Sequence, residues 1–366
     1  YRKVVMIDAS EAPQVIEHAS LSLGLTPYDA KWIPFSARIV LMGMQPKGTG
    51  LLRVYQFNRG ELNATAEIVH PSGIKCGSFG ASPAGSRSLA TGDYDGDLCV
   101  WDVDQLFPGS KPLFHASGAH RGLINCIDGI GGLNVGHGAP ELATGGRDGV
   151  VRIWDIRQHD PVASLAPMGS SQARDCWSVA FGGSHDDDER SVCAGYDNGD
   201  IKLLDLRTNK IRWETNIKNG VVCLQFDRPD IKMNKMVVTT LESRFRVYDM
   251  RTMNSDAGYA FVSEKAHNST VWIARHLPQN RDLFATGGGN GTLNMYQYSY
   301  PDKRRIKNEF GQQQGVAGTV RCLNKRKVAD QPIVSLDWSP AKLGLAVMTA
   351  LDQTIKVIIV TKLDKF

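Results

Sequence analysis

The sequence predicts an all-β fold: a seven-bladed β-propeller of four-stranded antiparallel blades, closed by pairing of the N-terminal strand into the last blade. Three observations predict it. A segment of one plan recurs seven times along 366 residues. Each copy sets an apolar run and an alternating run on either side of a tight turn, which is the signature of a hairpin. The last copy is one strand short, and the N-terminus is the segment left to supply it, which would remove the open edges of that blade.

Taken in chain order, residues 1–12 read as a tail, and residues 13–366 as one propeller. The first methionine is Met6, so Tyr1 to Val5 read as residues ahead of the native start. Residues 14–20 alternate as a strand would. The first repeat begins at Tyr28, and its weak copy of the pattern spans 47–56. Clearer copies follow at 89–102, 142–155, 192–205, 236–249 and 284–297, with a sixth at 345–359 that is one residue longer at its front. Their equivalent aromatic or apolar positions are Tyr55, Trp101, Trp154, Leu204, Tyr248, Tyr296 and Ile358, separated by 46, 53, 50, 44, 48 and 62 residues. That spacing is close to the blade period of roughly 40–45 residues, lengthened by loops. The best turns are Asp95-Gly96, Asp148-Gly149, Asn198-Gly199 and Asn290-Gly291, pairs that tolerate positive φ. A further strand precedes each hairpin, at 74–80, 124–130, 176–182, 221–227, 271–277 and 333–340. A fourth follows, as at 161–167 and 210–217.

Two copies carry a His ahead of the first strand, a Thr on the second, an Asp four residues later and a Trp on the third: His70, Thr91, Asp95 and Trp101, then His120, Thr144, Asp148 and Trp154. His267, Thr286, Asn290 and Tyr296 form a weakened third set. These copies, in register, resemble WD40 repeats. The resemblance implies a hydrogen-bonded structural tetrad in each blade, with the Asp accepting from the imidazole so that a buried polar chain is satisfied.

Three inserts interrupt the repeats. Residues 129–141 are Gly-rich but lack the Lys-Ser/Thr of a phosphate loop, so an ordered loop is expected. Residues 184–190 read as an acidic, solvated hairpin tip. Residues 300–330 form the longest insert, with basic runs at 303–307 and 325–327 around a Gln/Gly-rich patch. A mobile solvated loop between blades is expected there, with a nuclear signal or an acidic partner as alternatives.

Composition narrows function. The formal charge is +4, with 42% hydrophobic residues and 37 Gly. This excludes a mainly disordered chain and gives no support to a basic nucleic-acid clamp. No run of about 18 apolar residues suggests a membrane helix, and no secretory leader is evident. Seven scattered Cys without a CxxC read as buried hydrophobes in a reducing compartment. No metalloprotease, serine-hydrolase or phosphate-loop motif occurs, so no catalysis, metal or cofactor is expected. Nor does the sequence reveal a cluster of titratable groups converging on a central channel.

Several longer stretches are more specific: 128–149, 174–182, 192–207, 212–228, 263–281 and 355–363. Together they resemble the Monad-type WD-repeat family of single-propeller dynein assembly factors, from about Pro13 to the C-terminus. The resemblance implies a non-enzymatic, monomeric cytoplasmic adaptor in a ciliated or flagellated organism. Its implied partners are a prefoldin-like co-chaperone complex with AAA+ ATPases, and axonemal dynein heavy chains as clients, with no nucleic acid or membrane. The alternative is a generic WD40 interaction module such as a ubiquitin-ligase substrate receptor, a class that usually carries a docking extension outside the ring. Candidate docking residues lie near the turns and the starts of the inner strands: Tyr94, Arg147, Asp197, Trp177 and Trp272, since exposed aromatics and Arg anchor interfaces. The two Trp also suit packing between blades, and Asp197 also suits a role in its own turn.

Overall fold

The computed structural model describes residues 11–133, 135–167, 174–186, 188–307 and 309–366; Tyr1 to Val5, most of the tail, and Asp187 of the acidic tip lie outside them. Strand β1 (Val15–Ser22) precedes the first blade. Blade 1 is β2 (Thr26–Trp32), β3 (Arg38–Met44), β4 (Gly50–Asn58) and β5 (Glu61–His70); blade 2 is β6 (Ile74–Ser78), β7 (Ser88–Asp93), β8 (Leu98–Asp102) and β9 (Phe114–Ala116). Blade 3 is β10 (Ile124–Ile130), β11 (Glu141–Gly146), β12 (Val151–Trp154) and β13 (Ala163–Leu165); blade 4 is β14 (Cys176–Gly182), β15 (Ser191–Tyr196), β16 (Asp200–Asp205) and β17 (Lys210–Asn216). Blade 5 is β18 (Val221–Phe226), β19 (Lys235–Thr240), β20 (Arg244–Asp249) and β21 (Phe261–Lys265). Blade 6 opens with β22 (Val271–His276), β23 (Leu283–Gly288) and β24 (Thr292–Ser299); a hairpin of β25 (Arg305–Lys307) and β26 (Gln313–Gly315) intervenes before β27 (Thr319–Lys327) completes the sheet. Blade 7 is β28 (Ile333–Trp338), β29 (Leu345–Ala350) and β30 (Thr354–Val360), with β1 as its fourth strand.

The ring closes as the sequence predicts. β1 runs antiparallel to β30, from Val15 opposite Val360 to Ser22 opposite Thr354. Seven hydrophobic clusters fill the interior, one at each junction between neighbouring blades. The second strands are buried on both faces, and for this reason read as runs of apolar residues and buried Thr, without polar alternation, as at 236–240 and 345–350. Outer strands such as β17 are largely exposed, with Trp213 as its one buried residue. The turn glycines take positive φ at Gly96, Gly149, Gly199 and Gly291, while Ser243 and Gln353 hold the same place without glycine in blades 5 and 7. At Gly291 glycine is required twice over: its carbonyl accepts from Val328 and Ala329 of the linker that passes over it, leaving no room for a Cβ.

The structure corrects the reading of residues 300–330. They are not a loop between blades, because β27 is the outer strand of blade 6, paired along β24 from Ser299–Thr319 to Thr292–Lys327. The hairpin ahead of it is tied to blade 5: Asn254 Nδ2 donates to the Gln313 carbonyl at 2.9 Å, and Arg305 donates to the Arg251 carbonyl at 2.9 Å. The strand is hard to read in the sequence because four of its exposed residues, Arg321, Lys325, Arg326 and Lys327, are charged and break the apolar alternation.

The Gly-rich insert of blade 3 bridges its neighbours by backbone. Gly132 and Leu133 donate to Gly80 and Ser82 of blade 2, and His137 donates to Ser184 beyond β14. A Cβ on Gly129 would stand 2.6 Å from the Ala81 nitrogen, so close chain approach accounts for the glycine there. In the acidic tip, Asp186 accepts from the Asp188 and Glu189 amides. Ser184 is buried, so the segment is not solvated throughout.

Candidate interaction surface

The blade tetrads frame one face of the ring. In blade 3 the set is complete. Trp154 Nε1 donates to Thr144 Oγ1 at 2.9 Å, Thr144 pairs with His120 Nε2 at 2.7 Å, and His120 Nδ1 pairs with Asp148 at 2.9 Å. Burial alone would raise the Asp148 carboxyl, but the bonds from His120 and the Arg121 amide hold it well below the usual range. Burial lowers the His120 imidazole despite the carboxylate beside it.

Blade 2 departs from this set, and the assignment of Asp95 is corrected. Trp101 does donate to Thr91 at 3.0 Å. Yet His70 bonds the Ser72 carbonyl at 3.1 Å, and its nearest carboxylate is Asp93, at 3.6 Å. Asp93 is buried and accepts the Asp95 and Asp97 amides, whereas Asp95 is exposed. Three Asp alternate through this turn, and the one that ends β7 takes the inner place by capping the turn. In blade 6, His267 pairs with Thr286 at 2.8 Å, but Thr292 stands between His267 and Asn290, at 2.6 and 2.7 Å. Tyr296 is turned away from Thr286 and donates to the Ala266 carbonyl at 3.4 Å. Burial, then Lys325, lower His267 to about 4.

The five docking candidates fall on one face, in two concentric rings. The outer ring comprises the residues that follow the second strands. Tyr94, Arg147, Asp197, Leu241, Gly289 and Leu351 each donate a backbone N–H to the residue preceding the inner strand, namely Gly73, Leu123, Asp175, Gly220, Thr270 and Pro332, at 2.8–3.0 Å. The inner ring arises from a β-bulge repeated in all seven inner strands. One residue in each is skipped by the ladder: Tyr28, Lys75, Asn125, Trp177, Val222, Trp272 and Val334. A bulge re-aims the side chain it releases, and here it does so seven times around the channel mouth.

Arg147 is exposed, while Tyr94, Asp197, Trp177 and Trp272 are half-buried. Tyr94 packs against Tyr28 at 5.5 Å between ring centroids, and Lys75 lies 4.6 Å over the Tyr28 ring. Among the described residues, three polar atoms on this face are buried without a protein partner: Asn125 Nδ2, Asp197 Oδ1 and Ser269 Oγ. Burial and the neighbouring Asp175 raise the Asp197 carboxyl. An unmet buried polar group favours the arrival of a donor or acceptor from outside.

Beneath this face the channel wall carries the titratable groups that the sequence had concealed, which corrects the expectation that none converge there. They serve as clasps between inner strands. Asp29 accepts from Gly77 at 3.2 Å and from Ser335 at 2.6 Å. Asp128 accepts from Phe181 at 2.8 Å, and Asp337 from Trp32 at 2.8 Å. Ser178 accepts from Leu224, and Gln225 from His276, at 2.9 and 2.7 Å. Trp338 Nε1 donates to the Arg275 carbonyl at 3.2 Å, and the Cys76 thiol lies 3.7 Å from the Ile124 carbonyl. Every junction therefore has a clasp. A hydrogen bond contributes net about 1 kcal/mol, against about 1.5–3 kcal/mol for each buried aliphatic side chain. The junction clusters therefore hold the ring, and the clasps fix its register. The clue in the sequence was a polar residue at alternate places in inner strands that otherwise read as apolar, such as Asp128 and Gln225. Among the described residues no group of three or more His, Cys, Asp or Glu is placed to hold a metal ion, and no helix is long and apolar enough to cross a membrane.

A ring of tetrad-bearing blades with a decorated channel mouth defines a WD-repeat propeller. The model of the WD domain, G-beta repeat, matches residues 65–102 and 112–155, which hold the Thr91 and Thr144 hairpins. Similarity to whole proteins is more particular. The chain is 53% identical to dynein axonemal assembly factor 10 of Xenopus laevis over 97% of its length and 98% of the relative's. It is 52% identical to the Homo sapiens protein of that name, over 98% of the chain and 100% of the relative, and 49% identical to the Chlamydomonas reinhardtii protein over the same shares. The chain belongs to the dynein axonemal assembly factor 10 family.

Proposed function

We propose that this chain is a non-enzymatic cytoplasmic scaffold that supports preassembly of axonemal dynein heavy chains, acting with a prefoldin-like co-chaperone complex and AAA+ ATPases. The near full-length similarity to proteins named as dynein axonemal assembly factors supports the dynein role. The observation that carries the scaffold reading is the double ring. Seven bulged side chains and the hairpin residues around them form one face in which Trp, Tyr, Arg, Lys and Asp stand among small and aliphatic residues, held in register by clasps at every junction. Rigid aromatic and charged side chains are the usual anchors of protein interfaces, and a stiff ring lowers the entropic cost of docking. The channel carboxylates accept backbone amides from neighbouring blades, a structural use that gives them no evident part in chemistry.

The test is affinity purification of the tagged chain from ciliated-cell cytosol, read by mass spectrometry, alongside a face variant carrying Trp177→Ala, Asp197→Lys and Trp272→Ala. Recovery of prefoldin-like and AAA+ subunits with dynein heavy chains, reduced in the variant, is the expected result. Recovery of a cullin-type ligase instead, or of dynein-free background alone, would overturn the reading.

A further inference from the structure

The molecule is electrically lopsided. Between residues 303 and 327 lie eight basic residues and one carboxylate, Glu309, a balance of +7 in a chain whose total is +4; the remainder is net −3. All eight sit on the rim of blades 5 and 6, in the hairpin and in β27. Half have internal work. Arg304 donates to Asn234 at 2.9 Å, Arg305 to the Arg251 carbonyl, and Arg321 to Gln297 at 2.9 Å, while Lys327 pairs with Asp330 at 2.9 Å. Lys303, Lys307, Lys325 and Arg326 are exposed, and no ion pair is formed by any of them among the described residues.

The same rim holds a cleft of about 460 Å³. One wall is Phe261 to Glu264 of β21; the other is Ile306 with the chain from Gln314 to Gly318. Ile306 is 45% exposed and Phe310 at the hairpin tip 85% exposed; Val262 faces the cleft from β21, whereas the Phe261 ring lies on the other face of that strand, against Tyr248 and Arg246. β21 ends its sheet, pairing with β20 on one side only. Alternate N–H and C=O groups of its other edge are thus available to a further strand. β27 presents Lys325 toward the same side: Lys325 stands opposite Asn294, whose amide reaches the Ala266 carbonyl of blade 5 at 2.7 Å.

From this juxtaposition we infer that the cleft between β21 and the hairpin docks an extended acidic segment of a partner protein, which adds a strand to β21, sets an apolar side chain on Ile306 beside Val262, and directs carboxylates to Lys303, Lys307 and Lys325. Main-chain pairing supplies the affinity in such additions, and alternate side chains supply the selectivity. The surplus of cations supplies the complementary charge. A nucleic acid fits less well. The cleft has no aromatic platform for bases, since the Phe261 ring is held on the far face of β21 by Tyr248 and Arg246, and the rest of the molecule is net negative, which opposes a long polyanion more than a short acidic segment. The site is separate from the double-ring face, so either can fail without the other.

The experiment is fluorescence anisotropy of the full chain with a fluorescein-labelled Glu-Val repeat peptide long enough to span β21. The expected result is saturable binding that weakens with salt. Combining Lys307→Glu with Lys325→Glu, both exposed and outside the core, should weaken binding about tenfold or more without moving the melting temperature. Peptide N-methylated at alternate amides should bind as weakly, since it cannot pair with the strand edge. No binding below about 1 mM, equal binding by the reversed and native chains, equal binding by the methylated peptide, or tighter binding of an oligothymidylate of matched charge would each overturn the inference.

Discussion

Ser335 donates a 2.6 Å hydrogen bond to Asp29 across 306 positions of sequence, joining the inner strand of the last blade to that of the first. The same carboxylate accepts the Gly77 amide of blade 2, so Asp29 ties three consecutive blades at the point where the ring closes.

Removing Asp29 leaves the buried Gly77 amide without an acceptor and the Ser335 hydroxyl with only the Ala30 carbonyl, at 3.4 Å. Asp29→Ala should therefore destabilise the fold by about 2–4 kcal/mol, more than Ser335→Ala at about 1 kcal/mol. Chemical denaturation at neutral pH measures both. Equal losses would mean that the carboxylate does not join the three blades.

The two tetrads separate in the same way. Asp148→Ala should cost about 1–4 kcal/mol, because His120 and two backbone amides lose their acceptor. Asp95→Ala should change stability by less than about 0.5 kcal/mol, and Asp93→Ala should behave like Asp148→Ala. A reversed order for Asp93 and Asp95 would restore the assignment read from spacing.

Acid sensitivity should begin with histidine. His267 is buried with a pKa lowered to about 4, and His276 is lowered to about 3 by burial and then by Lys235. A folded-state pKa below the unfolded value of about 6.5 means that the unfolded chain binds protons first. Stability is full above about 6.5 and falls as pH drops toward 4, by up to about 3 kcal/mol for His267. Unfolding free energies measured from pH 7 to pH 4 should show this slope, reduced in His267→Gln. An unchanged slope in that variant would assign the sensitivity elsewhere.

Lys235 is wholly buried between blades 5 and 6, bonded to Asp227, Asp282 and the Tyr300 hydroxyl at 3.0, 2.8 and 2.7 Å. Lys235→Met strands the buried Asp227 and should cost about 3–5 kcal/mol, part of which is recovered when Asp227→Leu is added. Thermal melts of the single and double variants decide it; additive losses would show that the two residues do not act as a pair.

Much of the fold could be read directly. Turn pairs such as Asp148-Gly149 and apolar runs such as that of β29 record constraints on neighbours a few residues apart, and these survive in a single sequence. Blade number, hairpin positions and closure by residues 14–20 followed from them. The placement of the five docking candidates on one face is legible for the same reason, since each adjoins a turn or a strand start.

What the sequence by itself determined about this protein is the ring: the local periods and turn chemistry of its repeats permit one way to bury their apolar faces. Only the tertiary structure decided which groups meet across it. Asp93 and Asp95 differ by two positions in one turn, and packing against His70 chose between them. The bulges that aim Trp177 and Trp272 at the channel mouth insert one residue into a ladder, a shift that leaves composition and period almost unaltered. Thr319–Lys327 becomes a strand because β24 offers an open edge, although its own charged sequence reads as a loop. Pairing of this kind depends on distances fixed by remote contacts, and no local pattern encodes them.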